Sequence, residues 1–217
     1  MVRKINFMMD AKNTFLQHLL VAILSLGLAF VFQTQGIGWS TAFARTSFVL
    51  LFLTLFIGPF VKLKEPKTVS NPLKSPWYWR SELGIWFTIT GLIHFYFVMG
   101  GRPKWSIVKV LGGFTGGGGY GLANLLGLIA LVLSLILAAT SFGKVIRYLG
   151  VETWKWLHSF TYVVFYLVAT HFIYFQFFST YGGGPDWFGY LGIAMTILII
   201  LLQFSAFVKV VRERQKA

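Results

Sequence analysis

Long apolar runs alternate along this chain with short basic segments. Runs long enough to cross a hydrocarbon core, roughly 20 residues of helix, occur at about 15–35, 45–62, 83–100, 121–142, 155–178 and 187–208. They predict an all-α, six-helix transmembrane bundle. The first run lacks a convincing small-x-small cleavage site and leads straight into further spans, so it reads as a span rather than a signal peptide. The longest connections, Lys62 to Glu82 with Pro66, Pro72 and Pro76, and Gly101 to Gly121, are each about 20 residues, too short for a second domain. Residues 1–217 therefore read as a single transmembrane domain.

Composition supports lipid as the solvent. Hydrophobic residues make up 56% and charged residues 12% of 217, where a soluble domain carries roughly 25% charged. A net charge of +13 would suggest nucleic acid in a soluble protein, but here anionic headgroups and topology account for it. Fifteen basic residues fall in the segments that share a side with the two termini, against four (Arg45, Arg102, Lys104, Lys109) on the other. The positive-inside rule then places both termini in the cytoplasm. Trp77, Tyr78 and Trp79 suit the headgroup level, and residues 102–109 suit a short amphipathic piece lying on the outer surface.

Gly116, Gly118 and Gly121 form a G-x-G-x-x-G spacing, but no acidic residue occurs between Glu82 and Glu152 and no strand precedes it. A dinucleotide fold needs both. The glycines read as a flexible outer loop.

With no cysteine in the chain, disulfides, thiolate sites, iron–sulfur clusters and covalent haem attachment are excluded. The four histidines are then the candidate transition-metal ligands. His94 lies about 16 Å along the third span from Leu83, and His171 about 24 Å along the fifth from Lys155, so both fall in the outer half of the bilayer. A single histidine there could equally hydrogen-bond to a neighbouring helix. Two on separate helices at comparable depth point to a shared metal cofactor, and bis-histidine ligation suits electron transfer. His158, about 5 Å inside the inner edge, is open between an interfacial residue and an inner ligand. His18 reads as an ordinary end-of-helix residue. Thirteen residues from His158 to His171 advance a helix roughly 20 Å but leave it about 140° out of alignment, so the spacing gives two cofactor levels little support.

Arg80, Leu83, Gly84 and Trp86 leading to His94, followed by Thr140, Ser141, Leu149, Gly150, Trp154, Leu157, His158, Phe160, Tyr162 and His171, resemble the ferric-reductase-like six-helix membrane domain of NADPH oxidases and metalloreductases. The likeness runs over a core of about 45–178 and is nearest to the short bacterial MsrQ-type haem subunit, which accompanies a periplasmic methionine sulfoxide reductase. The resemblance implies b-type haem (heme b), one or two per chain, and residence in a bacterial inner membrane. It implies electrons entering on the cytoplasmic side and leaving to an outer-side redox partner. It carries His94 and His171 as the outer haem pair and His158 as a ligand or cofactor contact nearer the cytoplasm.

Two departures shape that expectation. Two-haem members place a second histidine on the third helix where this chain has Arg80. The sequence also ends at Ala217, just after the sixth span, so the donor is expected to be separate: quinol or a flavin reductase. Branch members use a flavin mononucleotide (FMN) near the inner face, where Arg80 could pair with a phosphate or propionate; a snorkelling positive-inside residue explains it equally well. Three functions follow: a haem conduit serving an external oxidoreductase, a stand-alone reductase of outer-side metal or oxygen, and a non-redox transporter or assembly protein. The last expects charges at mid-membrane, and no Asp, Glu, Lys or Arg falls in the middle of any predicted span.

Overall fold

The computed structural model describes residues 11–64, 79–100, 120–179 and 184–216. The proposed surface piece at 102–109, Gly116 and Gly118, the prolines at 66, 72 and 76, Trp77 and Tyr78 lie outside the described residues. Among the described residues eight α-helices follow in chain order: α1 Ala11–Gln33, α2 Trp39–Lys64, α3 Arg80–Gly100, α4 Tyr120–Ala139, α5 Gly143–Leu149, α6 Val151–His158, α7 Thr161–Ile173 and α8 Trp187–Lys216, with a π turn at Tyr174–Phe178 after α7. Six segments among them are long and apolar enough to cross a membrane: Phe15–Gln33, Trp39–Leu63, Arg80–Gly100, Tyr120–Ala139, Val151–Phe178 and Trp187–Gln215. The protein is an all-α, six-span transmembrane bundle. With an even number of crossings, α1 begins and α8 finishes at the same end, called here the terminal end; the opposite one is the far end.

α2 is the hub. It packs against α1, α3 and α8, while α4 packs against α7 and α3. Leu50, Leu51 and Leu55 of α2 are almost wholly buried with Val21, Leu83, Phe87, Val164, Phe165 and Ile199. Leucines on the lipid-facing helices gain nothing by leaving lipid, so association rests on close packing and interhelical hydrogen bonds. Two such bonds tie α3 to its neighbours: Ser47 Oγ donates to the Phe87 carbonyl at 3.0 Å, and Thr88 Oγ1 to the Ser134 carbonyl at 3.3 Å. Pro59 lies inside α2, where it has no N–H to give the Leu55 carbonyl.

Two span boundaries differ from the hydropathy reading in ways that matter. α2 begins at Trp39 rather than near 45, which brings Arg45 inside the helix. The fifth span is not evenly wound. α6 starts after Gly150, whose φ of 78° is costly for residues with a side chain, and the chain stays helical through Ser159 and Phe160 but tightens there, with Phe160 and Tyr162 bonding three residues back. The 13-residue spacing from His158 to His171 assumed regular turns of 3.6 residues, which this stretch does not keep.

At the far end Phe172 stacks on Phe48 with centroids 4.6 Å apart and meets Phe188 edge-on at 5.9 Å. Gly192 makes that possible, because a Cβ there would stand 2.4 Å from two Phe172 ring carbons. Gly192→Ala is expected to destabilise the bundle by about 1–3 kcal/mol through overpacking, lowering the thermal midpoint in detergent. Gly27→Ala, where a Cβ meets nothing within 4 Å, should leave the midpoint level or raise it; equal midpoints for the two variants would refute the packing role.

Candidate functional site

His94 stands six residues before the end of α3 at Gly100, and His171 seven before the end of the fifth span at Phe178. At 1.5 Å per residue both lie about 10 Å from the far end. Inside hydrocarbon an imidazole N–H has no water to bond, so it must find an acceptor on a neighbouring helix. His94 Nδ1 lies 2.9 Å from the Ser40 carbonyl oxygen, with Ser40 Oγ at 3.0 Å. His171 Nδ1 lies 2.7 Å from the carbonyl oxygen of Ala123 in α4. A carbonyl only accepts, so Nδ1 carries the proton in both rings and Nε2 keeps its lone pair. That is the tautomer a neutral histidine needs to bind a metal, with the second nitrogen held in place by a backbone acceptor.

Both rings line one open-mouthed cavity of about 740 Å³ between α2, α3, α4 and α7, within the range of sites that hold cofactor-sized molecules. Gly91, one turn before His94, and Gly127, beneath His171, leave parts of its wall without side chains. A Cβ on Gly127 would stand 2.7 Å from His171 Nδ1. The ring of Phe175, in the π turn, lies 4.9 Å from that of His171; this wide turn, closed by the Ser179 N–H on the Tyr174 carbonyl at 2.9 Å, brings Phe175, Gln176 and Ser179 to the same cavity. π turns are frequent at functional sites.

Haem fits these residues. Two histidines whose Nδ1 atoms are engaged by carbonyls line a roomy, largely apolar space, and haem would bring its other four iron ligands itself. A bare metal ion fits less well, since no group of three or more His, Cys, Asp or Glu gathers among the described residues.

The structure does not bring His158 to this cavity. His158 closes α6 at the terminal end, its ring 4.3 Å from that of Trp154. Thr140 Oγ1 lies 2.9 Å from the Ile136 carbonyl oxygen and 3.3 Å from His158 Nε2. Trp154 Nε1 donates to the Thr140 carbonyl at 3.1 Å, and together these bonds pin α6 to the end of α4. Arg80 opens α3 at the same end. Its Nε donates to the Thr54 carbonyl at 3.2 Å and its guanidinium lies over Gly58, within electrostatic reach of His158. His18 is half-buried in α1, also at the terminal end.

Hydropathy missed Arg45 and Asp186. Counted from the sequence as an outer loop residue, Arg45 lies inside α2 with its side chain only 5% exposed, ion-paired to Asp186 and lining the cavity with the two histidines. Gly127 was missed as well, since one more glycine in an apolar run carries no signal of its own.

Residues 43–169, more than half of the chain, match the family described as ferric reductase like transmembrane component. The chain is also 53% identical over 49 residues to magnetosome protein MamZ of Paramagnetospirillum magneticum (strain ATCC 700264 / AMB-1), a match covering 23% of this chain and 8% of that protein.

Gly127→Ala should push the His171 ring off the Ala123 carbonyl and lower haem occupancy of the purified protein severalfold. Gly84→Ala, whose Cβ would make only an ordinary 3.8 Å contact with Thr54, should leave occupancy as it is. Equal haem-to-protein ratios in both variants would show that the close approach at Gly127 has no bearing on the cavity.

Proposed function

The chain belongs to the family of ferric-reductase-like transmembrane components, and on that premise we propose that it is a b-haem electron-transfer subunit of a membrane. Electrons enter from quinol or a flavin reductase on the cytoplasmic side and leave to an oxidoreductase on the outer side, of the methionine sulfoxide reductase kind that MsrQ-type subunits serve. The observation that carries the reading is the pair of imidazoles on separate helices, each with Nδ1–H on a backbone carbonyl, lining one cavity. Haem would be held there by His94 and His171 and would supply one-electron chemistry.

The chain's own residues supply position and environment. Ser40 and Ala123 hold the two ring tautomers, which keeps Nε2 deprotonated and ready as a ligand. Phe87, Ala130 and Val168 line the cavity, favouring a bound group that is largely apolar. His158 differs in chemistry. Its Nε2 lies against the Thr140 hydroxyl, outside the cavity, and Arg80 stands where a second ligand would be needed, so we assign one haem per chain and give the terminal end to the donor. A flavin mononucleotide with its phosphate toward Arg80 suits that end, since a two-electron carrier beside a one-electron centre lets either donor feed the chain.

The excess of basic residues in the segments on the side of the termini supports a cytoplasmic terminal end. A reporter fused after Ala217 is then expected inside the cell and one inserted at Gly117 outside; the reverse result would exchange donor and acceptor sides. Absorption spectra test the haem pair. His94→Ala and His171→Ala should each remove the same low-spin signal, because each would take away one of the two imidazoles that would hold the haem. His158→Ala should keep that signal and slow its reduction from the cytoplasmic side. A full signal in either of the first two variants would sink the pairing.

A further inference from the structure

At the terminal end, away from the histidine cavity, three buried polar atoms from α1 and α3 lack partners. Glu82, in the first turn of α3, is 1% exposed, and its Oε2 has no hydrogen-bond partner among the described residues. Trp86 Nε1, one turn further along α3, is buried and equally unpartnered, as is Oε1 of Gln17, a 1% exposed residue of α1. Leaving such a group unsatisfied away from water costs roughly 1–3 kcal/mol, and more when it is charged. Glu82 and Trp86, four residues apart, share a face of α3. That of Glu82 is turned roughly 160° from Gly84, which lies beside Thr54 of α2, and about 120° from Thr88, which bonds Ser134 of α4. The third helix packed on α3 is α1, and most of its span is exposed rather than buried. Val21, one turn beyond Gln17, shares a core cluster with Leu83, the neighbour of Glu82, so Gln17 and Glu82 come to a similar depth in the seam between α1 and α3.

We propose that this seam seats the headgroup of a membrane quinol and that Glu82 takes its protons. The proposal rests on the haem reading above and decides between the two donors that reading leaves open. Two unpartnered oxygens and one N–H suit a ligand that both donates and accepts, as a hydroxyl does, and a seam bounded by a lipid-exposed helix admits a lipid-soluble one. Oxidation of a quinol to the quinone breaks two O–H bonds. Its two electrons pass singly to two equivalents of a one-electron acceptor, which the haem reading supplies, and its two protons need a base. Hydrocarbon provides no water for that role, and Glu82 is the only buried acidic residue among the described residues. Each proton lands on the Glu82 carboxylate and moves on to water beyond the start of α3, two residues away, before the next. A soluble flavin reductase delivers electrons from outside the bilayer and makes no demand for a carboxyl in this seam.

Haem reduction in the full-length protein, with a short-chain ubiquinol as donor, tests this. Glu82→Gln keeps the shape of the side chain but cannot take a proton, so reduction by ubiquinol should slow roughly a hundredfold or more, while dithionite should reduce native protein and variant alike. Trp86→Phe removes the N–H and should raise the ubiquinol concentration needed for half the maximal rate severalfold. Equal ubiquinol rates in the native protein and Glu82→Gln would overturn the proposal and leave buried water as the partner of these atoms.

Should Glu82→Gln fail to fold, Trp86→Phe carries the test, and an unchanged ubiquinol requirement overturns the proposal. Failure of the native protein to take up any haem would defeat the haem reading separately. The seat is then read from binding of a short-chain ubiquinone, as a rise in the thermal midpoint in detergent expected in the native protein and lost in Trp86→Phe; equal rises, or none, overturn it.

Discussion

A backbone carbonyl of a neighbouring helix orients each of the two histidines in the far half of this bundle, and the arrangement of the spans follows from meeting that need. Hydrocarbon provides no water to satisfy a ring N–H, so Ser40 of α2 must reach His94 of α3, and Ala123 of α4 must reach His171 of α7. Each contact ties two spans together at similar depth. Between them the four helices leave the cavity open rather than collapsing on it, partly because Gly91 and Gly127 add no side chain to its wall. Packing and ligand preparation are thus one set of contacts: moving α4 away from α7 would release the His171 N–H and spoil the close approach at Gly127 together.

The six spans were legible because apolar runs of membrane-crossing length carry a strong signal, and His94 and His171 stood out because an imidazole at that depth is rare. What hydropathy could not read were contacts between distant parts of the chain. The second span appeared to start near residue 45 because Trp39, Ser40 and Thr41 dilute the average, so Arg45 was assigned to water. Its partner Asp186 is 141 residues away. The tightened turn at Ser159–Phe160 contains neither proline nor glycine and left no mark in the pattern. His158 looked like a possible ligand by type alone; its neighbours, the Trp154 ring and the Thr140 hydroxyl, come from contacts that hydropathy does not carry.

The two ends of the bundle use their charges differently. At the terminal end Arg80 reaches the Thr54 carbonyl in the part of α2 just before Pro59, and Lys209 Nζ reaches the Leu63 carbonyl at 3.2 Å. Cations bonding carbonyls near the C-terminal end of α2 also complement its dipole, so these residues serve the helix as well as any ligand. Arg45 sits near the opposite end of the same helix, where the dipole opposes a positive charge. Its place there has to be compensated by something other than α2, and Asp186 does so only in part.

That imbalance gives α8 a role beyond filling space in the bundle. α8 begins after the family-matched segment 43–169 has ended, and most of its residues are exposed to the surroundings of the bundle rather than buried in it. Yet its capping residue Asp186 grips Arg45 with one oxygen and the first turn of α8 with the other. Shifting the start of α8 would move the guanidinium, and moving the guanidinium would pull on the cap. Phe188, the most buried residue of that turn, packs against Phe32, Phe48 and Phe172. A displacement of the cap would therefore be resisted by four aromatic side chains from α1, α2, α7 and α8. Two of those rings, Phe32 and Phe188, also lie against the Arg45 guanidinium, so the packing that resists movement of the cap holds the cation as well.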